Sequence, residues 1–154
     1  MSLEEAAEGI RGAKGTGRLV SRRGANGSTI LDDRYNSSPA SLAGALGLLR
    51  GMNGRRIALL GKMAELGEFE IAEHERVGRI AAQSCDILSC FGETTRPLAD
   101  AARASGLGDV RWFATKDEAA AAIHALLLPT DFVLVKGSRS EALETVIPML
   151  EGAL

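Results

Sequence analysis

The densest group of chemically versatile side chains lies in the eight residues Asp32–Pro39, which read DDRYNSSP and are called the first segment. Two carboxylates, a phenol, an amide and two hydroxyls are enough to hold a ribose, a phosphate-bound metal ion or the amide groups of a peptide. The same residue types also form turns, and a serine such as Ser38 before a proline is a typical helix N-cap. By composition alone, this segment is either a binding loop or a structural turn.

Two further segments carry charged groups in glycine-containing stretches. The second segment, Gly61–Glu68, holds Glu65 and Glu68, either of which could orient an amine or a metal-bound water, although exposed glutamates are usually only solvated. The third segment, Lys136–Arg139, precedes a predicted helix. Helix N-termini attract anions, and an arginine can hold a carboxylate through two parallel hydrogen bonds. Residues 138–141 also read as a capping box, which needs no ligand, so both interpretations remain open.

A hairpin followed by alternating strands and helices is expected to position these segments. Residues 18–23 and 28–33 are β-prone, and the Asn26-Gly27 pair between them favours a turn with positive φ. Further strands are predicted at 55–60, 86–91, 110–113 and 131–135. Helices are predicted to begin at Ser38-Pro39, after Glu68, and at residues 97, 115 and 140. The last should be kinked or ended early by Pro148.

This order predicts an α/β fold with a Rossmann-like, mostly parallel sheet of about six strands and helices on both faces. One strand, from the N-terminal hairpin, should be antiparallel. In such sheets, ligands bind beyond the carboxyl ends of the strands. Because each of the three segments follows a predicted strand, all three should meet at that edge.

The histidines, cysteines and tryptophan indicate packing rather than chemistry. His74 lies on an apolar helical stripe and is expected to be packed and hydrogen-bonded, while His124 has no polar partner nearby in its alanine-rich helix. Cys85 and Cys90 lack histidines or a second cysteine pair at metal-binding spacing, which predicts buried thiols. Trp112 is expected in the core. No metal site is predicted.

Composition narrows the class of protein. The chain has 154 residues, of which 45% are apolar and 25% charged, typical of one globular domain. A net charge of −2 gives no electrostatic reason to expect binding to nucleic acid or a membrane surface. Two cysteines are too few for a disulfide framework, so a cytoplasmic location is expected. Residues 1–17 are interpreted as an expression leader and an interdomain linker remnant, and 18–154 as the domain.

The three segments, in this order and on this background, resemble the C-terminal domain of the Mur ligases, and within them the branch that adds D-alanyl-D-alanine. That branch usually has DDxYNANP in the first segment, which is matched here at five positions: Asp32, Asp33, Tyr35, Asn36 and Pro39. Its LGDMxELGE resembles LGKMAELGE at 60–68, and its VLVKGSR is identical to 133–139. The resemblance covers nearly the whole chain.

The resemblance implies a domain of an ATP-dependent, amide-bond-forming ligase of peptidoglycan synthesis, the pathway behind cell shape and division. In that family ATP phosphorylates UDP-MurNAc-tripeptide, and the amine of D-Ala-D-Ala attacks the acyl phosphate. An N-terminal domain holds the UDP substrate, a central domain carries the P-loop and magnesium ligands, and the third domain closes over them. The sequence contains no P-loop motif. ATP and Mg²⁺ are therefore expected to bind mainly to the absent central domain, and the chain alone is expected to be inactive.

The family's functional residues carry over onto matching positions. The residues that would face the nucleotide are Asp33, Tyr35 and Asn36. The residues that would face the acceptor are Glu65, Lys136, Ser138 and Arg139. Of these, Asp33 and Asn36 are expected to be catalytic, and Arg139 is expected to pair with the free carboxylate of the dipeptide.

Three positions depart from the usual pattern: Lys62 replaces Asp, and Ser37 and Ser38 replace Ala and Asn. Either the acceptor differs or these positions are tolerant. One alternative is a sister Mur or folylpolyglutamate-type ligase, but the Tyr-Ala-His-type first segment of ligases that add other amino acids is absent here. The other alternative is a stand-alone Rossmann-like binding or regulatory domain without catalysis.

Overall fold

The computed structural model describes residues 19–152, and within them six strands form one sheet. The strands are β1 (Val20–Arg23), β2 (Thr29–Asp33), β3 (Arg56–Leu60), β4 (Ile87–Phe91), β5 (Asp109–Phe113) and β6 (Phe132–Lys136). Their order is β1-β2-β6-β3-β4-β5. Strand β1 is antiparallel to β2, and every other neighbouring pair is parallel. The predicted mostly parallel sheet with one antiparallel hairpin strand is confirmed.

Helices pack on both faces of this sheet, as predicted. In the described part of the chain the α-helices are α1 (Pro39–Arg50), α2 (Glu70–Ser84), α3 (Arg96–Ala104), α4 (Lys116–Leu126) and α5 (Ile147–Glu151). Successive strand residues point to opposite faces. Leu31 and Leu134 therefore pack in the layer of α1, α2 and α3, whereas Ile30 and Val133 pack in the layer of α4 and α5.

The turn of the β1–β2 hairpin and two helix starts follow from local sequence. Asn26 and Gly27 have φ values of 59° and 85°, in the left-handed region that Asn and Gly adopt most readily. Ser38 begins α1 with a capping box formed with Ser41, and Thr115 begins α4 with a capping box formed with Glu118. No helix within residues 19–152 is long and apolar enough to cross a membrane.

Sheet order and register bring the three segments together. Strands β2, β6 and β3 are neighbours, and Asp33, Lys136 and Leu60 lie side by side at their carboxyl ends. The first, third and second segments therefore leave the sheet at the same level. The connections themselves are far apart in sequence, so this alignment is a consequence of the parallel pairing.

The prediction of one helix from residue 140 to 150 is wrong. Two short 3-10 turns, Arg139–Glu141 and Leu143–Thr145, flank Ala142, which has a left-handed φ of 51°. The ammonium of Lys116 donates to the carbonyl oxygens of Glu141 (3.0 Å) and Ala142 (2.9 Å). These tertiary bonds occupy carbonyls that a continuous helix would use internally.

Helix α5 accordingly starts only at Ile147. Pro148 lies in its first turn, where the missing N–H costs little, and not at a kink.

The predicted packing roles of the cysteines and of His74 are confirmed. Cys85 and Cys90 are buried free thiols, and burial raises the pKa of both, that of Cys85 to about 12. His74 is fully buried, and its Nε2 accepts from the backbone N–H of Met63 at 3.1 Å. Its Nδ1 therefore carries the proton and donates to the carbonyl oxygen of Glu70 at 2.7 Å. Trp112 is only partly buried, and its indole N–H donates to the Gly92 carbonyl oxygen.

Candidate functional site

A groove of about 510 Å³ opens where the three segments meet. It is lined by 35–38 from the first segment, 64–66 from the second, and 138–140 from the third segment and the residue after it. Asn36, Glu65 and Arg139 therefore share one concave surface, as expected if the segments converge. The groove is thus lined by an amide, a carboxylate and a guanidinium.

Lys136 holds the first segment from beneath and does not line the groove. Its side chain is buried, and its Nζ lies 2.8 Å from Asp33 Oδ2. The same ammonium donates to the carbonyl oxygen of Asn36 at 2.8 Å. A buried ammonium requires such partners, because an unpaired one would be strongly destabilising. The structure thus turns Lys136 toward Asp33 and Asn36, where sequence reasoning had placed it against the acceptor.

A second cavity of about 430 Å³ adjoins the groove. It is lined by Val20, Arg22, Asp32, Arg34, Tyr35, Arg139 and Glu144. Tyr35 and Arg139 border both cavities, and the Arg139 guanidinium lies 5.5 Å from the Tyr35 ring centroid, within range of a weak cation–π interaction. Three arginines against two carboxylates make this cavity favourable for an anion.

The sequence analysis did not assign Arg22 or Arg34 to the site, although the hairpin could have indicated that Arg22 lies near Asp32. Arg22 Nε donates to Oδ2 of the buried Asp32 at 2.7 Å, and Arg34 Nε lies 3.3 Å from Oδ1. In the hairpin register Val20 faces Asp32, so Arg22 is the diagonal neighbour of that carboxylate. Diagonal cross-strand pairs lie within reach of long side chains.

The third segment forms neither of the two structures that its sequence allowed. Ser138 makes no side-chain cap, and a 3-10 turn follows it instead of an α-helix. Its hydroxyl pairs with that of Ser140 at 2.6 Å, and its backbone N–H donates to the carbonyl oxygen of Lys62 at 2.8 Å. Ser138 is therefore a buried link to the second segment, while Arg139 is exposed.

The second segment reaches the groove through an unusual backbone. Glu65 is exposed and has a left-handed φ of 62°, and Gly67 has a φ of 54°. The His74–Met63 bond described above fastens the start of this segment to α2. Gly61 and Gly137 pack so closely that a Cβ on Gly137 would lie 3.2 Å from the Gly61 Cα. Glu68 is exposed and does not border the groove.

No metal centre is built from the usual ligands in the part of the chain that the structure describes. Among residues 19–152, no three His, Cys, Asp or Glu side chains are grouped so as to hold a metal ion. The polar equipment of the site is made up of hydroxyls, an amide, arginines and single carboxylates. Such groups suit an organic ligand that carries both a negative and a positive charge.

Comparison with known proteins identifies the family. A family model described as Mur ligase, glutamate ligase domain matches residues 17–139. The chain belongs to this family. The UDP-N-acetylmuramoyl-tripeptide–D-alanyl-D-alanine ligase of Escherichia coli K12 is 35% identical over 138 residues, which cover 88% of this Mur ligase domain and 29% of the relative. The ligase of the same name from Bacillus subtilis 168 is 31% identical over 149 residues, covering 94% and 33%.

Solved structures agree with this assignment. A crystal structure of MurF from Acinetobacter baumannii has a TM-score of 0.79 at 29% identity and covers 99% of this Mur ligase domain and 34% of that chain. MurF from Thermotoga maritima in complex with ADP has a TM-score of 0.76 at 26% identity, covering 88% and 30%. The resemblance drawn from the three segments is confirmed. The chain spans about a third of the length of the relatives it matches.

Proposed function

We propose that this chain is the acceptor-binding, site-closing domain of an ATP-dependent ligase that joins D-Ala-D-Ala to UDP-MurNAc-tripeptide in peptidoglycan synthesis in the cytoplasm. The observation that carries the proposal is the convergence of Asn36, Glu65 and Arg139 on one groove at the carboxyl edge of the sheet. In this proposal, 18–154 is the domain, and 1–17 is an expression leader and interdomain linker remnant that lies outside the described residues.

The charges of the groove suit a zwitterionic dipeptide. Arg139 is exposed and offers a planar guanidinium that can bind a carboxylate through two hydrogen bonds. Glu65 lines the same groove and is suited to orient the amino group. The backbone N–H of Ser138 links the third segment to the second through the Lys62 carbonyl oxygen, and its hydroxyl pairs with that of Ser140. The acceptor would lie with its carboxylate at Arg139 and its amine toward the reaction centre.

The nucleotide side of the site is assigned to the first segment. Asp33, Tyr35 and Asn36 would face ATP and the acyl phosphate, with Asp33 and Asn36 closest to the reacting groups. The arginine-lined cavity beside Tyr35 has the charge expected for a surface near phosphates. ATP and Mg²⁺ would be bound mainly by a central domain, and Lys136 would act indirectly by holding Asp33 and the Asn36 carbonyl in place.

The groove is exposed, as expected if this domain forms only one half of the proposed active-site cleft. Tyr35 is 45% exposed, which is unusual for an aromatic ring at the centre of a site. In the proposed enzyme, the UDP-substrate and ATP-binding domains would cover this surface when the domain swings in. Closure would exclude water from an acyl phosphate that water otherwise hydrolyses.

The proposal can be tested by replacing the matched C-terminal third of the E. coli relative with this chain. Phosphate release should then require ATP, UDP-MurNAc-tripeptide and D-Ala-D-Ala together. The truncated relative without any third domain should be inactive, and the same truncated relative rejoined to its own domain serves as the control for the fusion itself.

Two outcomes would contradict the proposal. Turnover with a single amino acid but not with D-Ala-D-Ala would indicate a sister ligase. A folded fusion that binds ATP yet never turns over, beside an active rejoined control, would favour a binding or regulatory domain without catalysis.

A further inference from the structure

Four serines line the groove, and three of them have hydroxyl partners within the protein. The Ser38 hydroxyl pairs with that of Ser41 at 3.0 Å, and the hydroxyls of Ser138 and Ser140 pair at 2.6 Å. The remaining one, Ser37, is 3% exposed, and its Oγ is buried with no hydrogen-bond partner. A polar atom beside the groove therefore lacks the bond that a buried hydroxyl normally makes.

Only two other side-chain atoms in residues 19–152 share this condition, and neither borders the groove. Asp32 Oδ1 is ion-paired with Arg34, although it accepts no hydrogen bond. Ser89 Oγ lies on β4 within the sheet, and Ser89 does not line the groove. A buried hydroxyl without a partner is destabilising. Ser37 is therefore the one such group positioned to be satisfied by a ligand in the groove.

We infer that Ser37 is an acceptor-contacting residue whose hydroxyl bonds the uncharged peptide group of a dipeptide held between Glu65 and Arg139. This inference rests on the proposed function and adds a determinant of acceptor choice. The charged residues match the two ends of a zwitterion, and the peptide group between those ends needs a neutral partner. A hydroxyl can donate to its C=O or accept from its N–H.

The arrangement predicts selectivity for a dipeptide over a single amino acid. A free amino acid has the two charged ends but no internal peptide group, so it would leave the Ser37 hydroxyl unpaired. The hydroxyl is covered in the unliganded chain, so binding requires a χ1 rotation or a small shift of the first segment. Alanine, the residue usual in the resembling ligases, would remove both the unpaired atom and the contact.

The matched pair Ser37→Ala and Ser89→Ala tests this inference. Each removes a buried, unpaired hydroxyl, so each should raise the melting temperature of the free chain by a few degrees, about 2–4 °C. Only Ser37→Ala should weaken binding of D-Ala-D-Ala, by about five-fold, when the 154-residue chain is titrated and its amide NMR shifts are followed. Ser37→Cys, whose thiol is a weaker donor, should bind D-Ala-D-Ala with an affinity between those of the unsubstituted chain and Ser37→Ala. Binding of D-Ala should not change in any variant.

The outcomes separate the inference from the proposed function. If the unsubstituted chain binds D-Ala-D-Ala and Ser37→Ala binds it equally well, the Ser37 contact is rejected and the acceptor groove stands. Equal weakening by Ser89→Ala would also reject it, since the effect would then be general. If the unsubstituted chain binds no D-Ala-D-Ala while its NMR spectrum is that of a folded protein, the same variants are compared by their KM for the dipeptide in the fused ligase. A fused ligase that shows no turnover with D-Ala-D-Ala, beside an active rejoined control, rejects the acceptor groove itself.

Discussion

The two edges of the sheet use ion pairs in different ways. At the amino edge, the buried Asp131 accepts from Arg55 Nε and Nη2 and from the Leu128 backbone N–H, so both its oxygens are satisfied. Asp86 likewise accepts from the backbone N–H and the guanidinium of Arg56. These hydrogen bonds lower the pKa of Asp86 and raise those of both arginines. Both of these amino-edge carboxylates are therefore paired within the protein.

The carboxyl edge has a polar group that makes no hydrogen bond within the protein. Lys136 and Asp33 form an ion pair, but Ser37 Oγ neither accepts nor donates a hydrogen bond. Tyr35 and Arg139 are exposed beside them. Both edges belong to one fold and one sheet, so the difference does not follow from architecture. Under the proposed function, the amino edge stabilises the domain and the carboxyl edge binds the ligand.

Lys136→Met should give the largest loss of stability, because the contact between Lys136 and Asp33 both stabilises the fold and holds the first segment of the site. The substitution removes the ammonium that lies 2.8 Å from Oδ2 of Asp33, whose side chain is 14% exposed. Breaking such a pair costs about 3–5 kcal/mol of unfolding free energy, measurable by urea denaturation. The double variant Asp33→Asn/Lys136→Met should recover much of that loss, because no unpaired charge remains. A double variant no more stable than the single one would contradict this account.

Arg139→Ala should separate binding from stability. In the fused ligase described above, it should raise the KM for D-Ala-D-Ala by about 10–100-fold, the range for losing a charge-assisted hydrogen bond, while the KM for ATP changes far less. The melting temperature should stay the same, since Arg139 is exposed. Arg103→Ala is the control, because it removes the same positive charge from an exposed arginine on α3. An unchanged dipeptide KM would reject the assignment of Arg139.

Ala142→Gly tests whether the left-handed turn after the third segment is strained. Alanine at a φ of 51° costs about 1–2 kcal/mol in the folded state, and glycine would remove this cost. Part of the resulting stabilisation is lost because glycine has greater conformational freedom in the unfolded chain. We expect net stabilisation of up to about 1 kcal/mol in urea denaturation. Ala121→Gly, on the exposed side of α4, should instead destabilise by about 1 kcal/mol. Destabilisation by both would show that Ala142 is unstrained.

Asp86→Asn at the amino edge should give the smallest effect and a characteristic pH dependence. Its carboxylate is 43% exposed, so the loss should be less than about 1 kcal/mol at neutral pH. Since folding lowers the pKa of Asp86, its stabilisation is complete above the ordinary value of 3.8 and is lost as the pH falls through the lower folded-state pKa. The difference in unfolding free energy should vanish well below pH 3.8. A difference that persisted there would point to packing instead.

Much of the fold could be predicted because its signals are local. The Asn26-Gly27 turn and the capping boxes at Ser38 and Thr115 depend on residues a few positions apart. Alternating strands and helices then imply a parallel sheet, and a parallel sheet places every segment that follows a strand at one edge. The common edge of the three segments could therefore be predicted, whereas the meeting of Asn36, Glu65 and Arg139 in one groove depends on β2, β6 and β3 being neighbours.

Tertiary structure alone decided how the site's polar atoms are used. Pairing of β2 with β6 makes Asp33 and Lys136 neighbours, which turns the lysine inward to hold the first segment. Lys116 reaches the carbonyls of Glu141 and Ala142 and breaks the helix that local propensity favours. The burial of Ser37 without a partner is equally invisible in the sequence. Each of these features depends on contacts between residues that are distant in the chain. Such contacts can override local conformational preference, and a short-range sequence pattern does not reveal when they do.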